Sequence, residues 1–178
     1  VAAHERELTT YLLDRLREVE GLRVLGEPAI PADGDRLGVV TFTLDKIPFA
    51  LVAAILSCEF GVGVRHGCFC AHPYLMHLFG CPPEGIARSR AAIAAGDKTA
   101  IPGAVRASLG IYNTSEDIDR CITALKAVRA GHYRGRYARD HATGDFVPAN
   151  VERLPETGWG AGVTLPTFKG RSTACGAQ

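Results

Sequence analysis

Residues Val64 to Pro73 read Val-Arg-His-Gly-Cys-Phe-Cys-Ala-His-Pro, which sets two thiols, two imidazoles and a guanidinium on one short, glycine-hinged stretch. A cysteine becomes a good nucleophile near neutral pH when a cation or a general base lowers its thiol pKa from about 8.5. Arg65, His66 and His72 are the neighbours able to do this for Cys68 or Cys70. The same residues admit two other readings. An intracellular cysteine is often a small buried hydrophobe. Alternatively, Cys68, Cys70, His72 and Cys81 offer three sulfurs and one nitrogen to a tetrahedral zinc ion. Zinc is the weaker reading, because structural sites favour C-x-x-C knuckles and Cys81 stands alone before two prolines, so no metal is expected.

Arg106 is the second candidate. It lies in Val105-Arg-Ala-Ser-Leu-Gly, among mostly apolar neighbours. A charged side chain is seldom buried without a partner, and a planar guanidinium is suited to holding a carboxylate through paired hydrogen bonds. A solvent-facing arginine on an alternating strand explains the same residues equally well.

Periodicity identifies the elements that must position these groups. Leu8, Leu12, Leu16 and Val19 recur at helical spacing from His4 to Val19, with Gly21 as a left-handed stop. Leu22 to Leu25 is a short strand. Leu37 to Leu44 alternates with period two and is rich in β-branched residues, hence also a strand. Asp45 is the expected cap of a helix that carries Pro48 in its first turn and Phe49, Val52, Ala53 and Leu56 on one face, and that ends at Gly61. Val62 to Arg65 is then a strand, His66 to Pro73 a loop, and Tyr74 to Phe79 a helical turn.

Residues 84 to 98 suit an exposed helix, and Ala104 to Tyr112 the strand bearing Arg106. Asn113 or Thr114 caps a last helix with Ile118, Cys121, Ile122, Leu125 and Val128 on its inner face and Gly131 at its end. Cys58 and Cys121 are therefore expected to face a core. The sum is an α/β (α+β two-layer) fold, a mixed β-sheet flanked by helices. From residue 132 the chain is rich in Arg, Tyr and Gly without sustained period. The expected division is a domain over 1–131 and a C-terminal extension, partly irregular, over 132–178.

Composition removes several classes of function. With 178 residues, 47% of them hydrophobic, the chain can bury a core without a disulfide or metal. Lys and Arg number 20 against 19 Asp and Glu, a net charge of +1, which lacks the basic excess that nucleic-acid binding requires. No apolar run approaches the roughly 20 residues that span a bilayer, and the charged start is unlike a signal peptide. No membrane partner, a cytoplasmic location and reduced thiols are expected. The chain begins at Val1 and its only methionine is Met76, so it is expected to be a piece of something longer.

Taken in order, the pieces resemble a known family. They are His4-Glu-Arg-Glu-Leu8, Val39 to Leu44, Val64-Arg65-x-Gly67-x-x-Cys70-Ala71-x-Pro73, Val105-Arg106-Ala107-Ser108, and Tyr112-Asn113-Thr114-x-Glu116-x-Ile118-Asp119. Over residues 1–128 their order is similar to the C-terminal small domain of the class V aminotransferase superfamily. These are fold-type I enzymes dependent on pyridoxal 5'-phosphate (PLP), and they include cysteine desulfurases and selenocysteine lyases. The resemblance implies that Cys70 matches the catalytic cysteine that takes sulfur from cofactor-bound cysteine as a persulfide. Arg106 matches the arginine that binds the substrate's α-carboxylate, and Arg65, His66, Cys68 and His72 are supporting loop residues.

It further implies PLP as cofactor, an amino-acid substrate, a homodimer for the full-length enzyme, and a preceding large domain that carries the cofactor lysine. Lys46, Lys98, Lys126 and Lys169 lack that lysine's context, so this chain alone is expected to be inactive. Desulfurases of this group usually have two histidines before the cysteine and a glutamine two after it. This chain has Cys68-Phe69 and His72, and Pro82 to Ile101 lengthens the path to Arg106. Aminotransferase or epimerase chemistry with an incidental Cys70 is therefore the alternative within the superfamily, and a thiol- or zinc-binding module is the alternative outside it.

Overall fold

Leucines at helical spacing close the first segment into α1 (Ala2–Leu16), which buries Leu8, Leu12, Leu13 and Leu16. The computed structural model describes residues 1–30, 36–141 and 143–149. Val19 is buried beyond the helix end, and Gly21, at φ 72°, turns the chain into β1 (Leu22–Val24). The alternating segment forms β2 (Val39–Leu44) with Val40, Phe42 and Leu44 buried. Asp45 does not cap the next helix. Its backbone N–H donates to the Gly21 carbonyl at 2.8 Å, and α2 (Phe49–Phe60) begins after Pro48 without a side-chain cap.

Gly61 ends α2 in the left-handed region, and the Val62 N–H donates back to the Leu56 carbonyl at 2.9 Å. This closing bond ties Val62 to the helix end. The following strand, β3 (Arg65–Gly67), accordingly starts later than the strand expected over Val62 to Arg65. Next come α3 (His72–Leu78) and α4 (Pro83–Ala94), the latter with no buried residue, and a 3-10 turn at Lys98–Ala100. β4 (Ala104–Ser108) stops short of Tyr112, because the Gly110 N–H donates to Asn113 Oδ1 at 2.7 Å and turns the chain. Thr114 then leads α5 (Ser115–Arg129), its N–H held by Asp117 Oδ2 at 3.1 Å in a capping box. β5 (Tyr137–Arg139) and β6 (Phe146–Pro148) pair antiparallel inside the segment expected to be an extension.

The four-stranded sheet has the order β1-β2-β4-β3. The class is α/β as expected, but every pairing in this sheet is antiparallel rather than mixed. The reason lies in the insertion of β4. β2 and β3 run in the same direction and are joined by the crossover helix α2, yet β4 lies between them and pairs with both, a split β-α-β arrangement. α1, α2 and α5 cover one face and bury Val40, Phe42 and Val105 together with Leu12, Leu16, Ile55, Leu56, Ile122 and Leu125.

The β5–β6 segment is tied to this body. Glu59 on α2 accepts the N–H groups of Arg134 at 2.7 Å and Gly135 at 2.8 Å and the Tyr137 hydroxyl at 2.9 Å. Arg139 donates to the Thr99 carbonyl at 2.8 Å. Burial alone would raise the Glu59 pKa, but these three donors overcome it and hold the carboxyl below its ordinary range. Burial and the same carboxylate push the Tyr137 hydroxyl up.

Candidate functional site

Cross-strand register places the charged groups. Arg106 on β4 lies opposite Thr41 on β2 and opposite Arg65 on β3. Directly paired residues share a face of the sheet, so both guanidinium groups stand on the side away from α1, α2 and α5. Like charges paired in this way repel each other. Among the described residues neither arginine has a carboxylate partner. Arg106 is half-buried, and its Nε is buried with no hydrogen-bond acceptor. Such an unsatisfied charged donor costs upwards of about 1–3 kcal/mol, which an anionic acceptor would recover.

The ring of Phe69 covers the guanidinium, with Arg106 Cζ 5.2 Å from its centroid. That cation–π contact is worth about 0.5–2 kcal/mol and leaves the Nε hydrogen unpaired. Phe69 also packs with Cys68, Leu78 and Phe79 around Leu25, Leu75 and Ala104. Phe69 is the site residue that the sequence reading passed over. Its only local signal was a bulky aromatic between two cysteines.

Gly67, at φ 110°, ends β3. A Cβ on Gly103 would lie 2.9 Å from the Gly67 backbone and 2.7 Å from the Phe49 ring, so the chain entering β4 can approach the loop only as glycine. Beyond Gly67 the Ala71 N–H donates to the Cys68 carbonyl at 2.8 Å, closing a turn whose central residues, Phe69 and Cys70, have φ of 54° and 59°. Left-handed backbone costs an ordinary residue roughly 1–2 kcal/mol, here offset by the packing of the Phe69 ring. Cys68 is half-buried and Cys70 is exposed.

The two histidines lie elsewhere. His66 is paired with Val105, and strand alternation turns it to the opposite face. Its ring centroid is 6.0 Å from that of Phe49 and its Nε2 is 3.8 Å from Asp145 Oδ1 in the β5–β6 hairpin. His72 lines a cleft of about 370 Å³ between α3 and α4 with Met76, Ile86 and Ile93, and its buried Nε2 has no partner. The structure thus assembles Arg65, Arg106 and the Cys68–Cys70 turn, with Phe69 as the joint.

Cys58 is exposed on α2 and does not face the core as expected. It lines an open groove of about 850 Å³ with Glu59, Tyr133, Arg134 and Tyr137, which the sequence reading did not foresee. Cys121 is buried, and burial pushes its thiol up to about 11. Among the described residues no group of three or more His, Cys, Asp or Glu is placed to hold a metal ion. No helix among them is long and apolar enough to cross a membrane.

The lysines decide how far PLP fits. Lys126 is paired with Glu18 at 2.8 Å on the helical layer, Lys46 is in the turn before α2, and Lys98 is in the 3-10 turn. Lys169 lies outside the described residues. The described lysines therefore lie in turns or on the helical layer, and the Arg106 Nε is an unpaired donor that an anionic group would satisfy.

Residues 1–121 match the family described as aminotransferase class-V. Curated relatives include a cysteine desulfurase of Haloferax volcanii, 33% identical over 129 residues, covering 72% of this chain and 24% of that protein. A probable cysteine desulfurase of Halalkalibacterium halodurans is 34% identical over 129 residues, covering 72% and 25%. Among solved structures, the apo cysteine desulfurase of Thermococcus onnurineus aligns with a TM-score of 0.53 at 26% identity over 72% of this chain and 26% of that one. The cysteine desulfurase CsdA of Escherichia coli aligns with a TM-score of 0.51 at 21% identity over 75% and 26%, a likeness of fold. The chain spans about a quarter of the length of the relatives it matches.

Proposed function

Since this chain belongs to the class V aminotransferase family, we propose that it is the small-domain portion of a PLP-dependent enzyme acting on an amino acid, and that the reaction is removal of sulfur from cysteine onto Cys70. One observation carries the reading: Arg106 keeps a buried, unpaired Nε on the sheet face from which an exposed cysteine turn projects. Arg106 holds the substrate's α-carboxylate through its Nε and a terminal nitrogen, and Arg65 adds positive charge beside it. Cys70, exposed at the tip of the turn, is free to reach the substrate's sulfur. The cofactor lysine and phosphate cradle belong to a large domain preceding residue 1, with which residues 1–131 form a homodimeric enzyme. The short span relative to the desulfurases supports this division.

The test uses the protein joined to that large domain. Arg106→Ala weakens amino-acid binding at least about tenfold by removing a charge-assisted pair, and Arg106→Lys, which lacks the paired planar donors, restores little of it. Cys70→Ser abolishes sulfur transfer and leaves amino-acid affinity in place. Unchanged affinity in Arg106→Ala removes the carboxylate role. Sulfur transfer that survives Cys70→Ser leaves aminotransferase or epimerase chemistry as the reading.

A further inference from the structure

The stretch rich in Arg, Tyr and Gly after α5 has no part in the reaction at Cys70, yet it is built into a groove. Burial alternates along it: Tyr133, Gly135 and Tyr137 are half-buried, while His132, Arg134 and Arg136 are exposed. Alternation of this kind belongs to extended chain, in which residues two apart share a side. The basic groups therefore stand together on the outer side, Arg134 and Arg136 spaced by roughly 6.5–7 Å along the chain. The inner side is fixed in place. Both Glu59 oxygens are taken, by the N–H groups of Arg134 and Gly135 and by the Tyr137 hydroxyl. A Cβ on Gly135 would lie 2.9 Å from Glu59 Oε1 and 2.9 Å from the Tyr137 ring, so only glycine lets the chain come this close. The Tyr133 and Tyr137 rings meet edge to face, their centroids 6.2 Å apart.

This segment and the end of α2 enclose the groove of about 850 Å³, into which Phe60, 36% exposed, and Pro148 of β6 also project. Clefts that hold ligands run to about 300–1,000 Å³. Glu59 is the one acid in the lining, and among the described residues no carboxylate forms an ion pair with His132, Arg134 or Arg136. Apart from the α2 residues, the lining falls beyond residue 121, where the match to the family ends. We propose that this groove binds an extended acidic segment of a partner protein, its carboxylates at alternate positions seated on Arg134 and Arg136 and its apolar side chains against Phe60 and Pro148. Alternate side chains of an extended peptide repeat at the same roughly 6.5–7 Å, and each guanidinium can hold a carboxylate through two parallel N–H donors. Tyr and Arg are also the residue types that concentrate binding energy at interfaces. Because Glu59 holds the backbone of the site beforehand, little ordering is needed on binding. Nucleic acid fits less well, since its affinity rests on many phosphate contacts and this chain has a net charge of only +1. The proposal is independent of the reaction at Cys70.

The experiment titrates the full chain at low salt with a fluorescein-labelled peptide of sequence Glu-Phe-Glu-Phe-Glu and reads its anisotropy. Saturable binding that weakens as salt is added is expected. Arg134→Ala and Arg136→Ala should each weaken it about fivefold, and the double variant at least about twentyfold. Both side chains are exposed and Glu59 is bonded to backbone N–H groups, so these variants should keep the wild-type urea midpoint. Exchange of charge gives the positive counterpart: a Lys-Phe-Lys-Phe-Lys peptide should bind the Arg134→Glu, Arg136→Glu variant and not the wild type. Location is read from alkylation, because bound peptide should slow modification of Cys58, which lines the groove, and leave that of Cys70 unchanged. No saturable binding to the wild type, equal binding of a peptide with Gln in place of Glu, or unchanged affinity in the double alanine variant each overturns the proposal. Protection of Cys70 in place of Cys58 does the same, as does tighter binding of an oligothymidylate strand than of the acidic peptide.

Discussion

The two faces of the four-stranded sheet are held in different ways. On the helix-covered face, Val40, Phe42 and Val105 are sealed beneath α1, α2 and α5 in a contiguous cluster of buried apolar side chains. On the other face a small cluster of Leu25, Leu75 and Ala104 shares the surface with Arg65 and Arg106, for which the described residues supply no acid. The first face contributes the free energy that keeps the fold. The second holds unpaired positive charge and a turn with two left-handed residues, both sustained by that rigid support. Groups poised for a ligand destabilise the face that carries them, so the stability they lack has to come from the opposite layer.

The sharpest way to break this comparison is to truncate one aromatic on each face and measure urea unfolding. Phe42→Ala removes a fully buried ring and is expected to cost about 3–5 kcal/mol. Phe69→Ala removes a half-buried ring and one cation–π contact and is expected to cost about 1–2 kcal/mol. Equal costs would mean that the loop face is as much a part of the core as the helical one. Thiol reactivity sharpens the comparison next. Burial has raised the Cys121 thiol from 9.0 to about 11, so its thiolate fraction at neutral pH is down roughly a hundredfold, and its place in the core slows reagents further. Alkylation of the native protein followed by peptide mapping should modify Cys70 and Cys58 rapidly and Cys121 last. Early labelling of Cys121 would show that the helical layer opens readily.

The smallest expected effect concerns the attachment of the β5–β6 hairpin. The Glu59 carboxyl has a folded pKa below its ordinary 4.5. Its contribution to stability is therefore present above about pH 4.5 and is lost as the pH falls through the lower folded value. Glu59→Gln should destabilise the protein by under about 1 kcal/mol at neutral pH, because solvent screens a partly exposed carboxylate. The difference from wild type should fade as the pH falls below that ordinary value. A difference that stays constant with pH would assign the loss to packing rather than to charge.

Much of the fold was legible locally. Leu8, Leu12 and Leu16 at helical spacing, Val40, Phe42 and Leu44 at period two, Gly61 and Gly131 as stops, and a cap at Asn113 or Thr114 all state their element within one or two turns of chain. A residue's periodic burial and its cap are both settled by neighbours a few positions away. The hairpin at Tyr137 to Pro148 escaped notice because its strands are three residues each, too short to establish a period, and because its anchor, Glu59, is distant in sequence.

For the candidate site, sequence alone determined which chemistry was on offer: two thiols on a glycine-hinged loop and an arginine in an apolar strand. Tertiary structure alone decided which groups meet. Insertion of β4 between β2 and β3 brought Arg65 opposite Arg106, sent His66 to the other face, and put the Phe69 ring rather than an imidazole over the guanidinium. A strand's register is a relation between distant segments, and a shift of one residue exchanges its two faces, so no local pattern could have specified it.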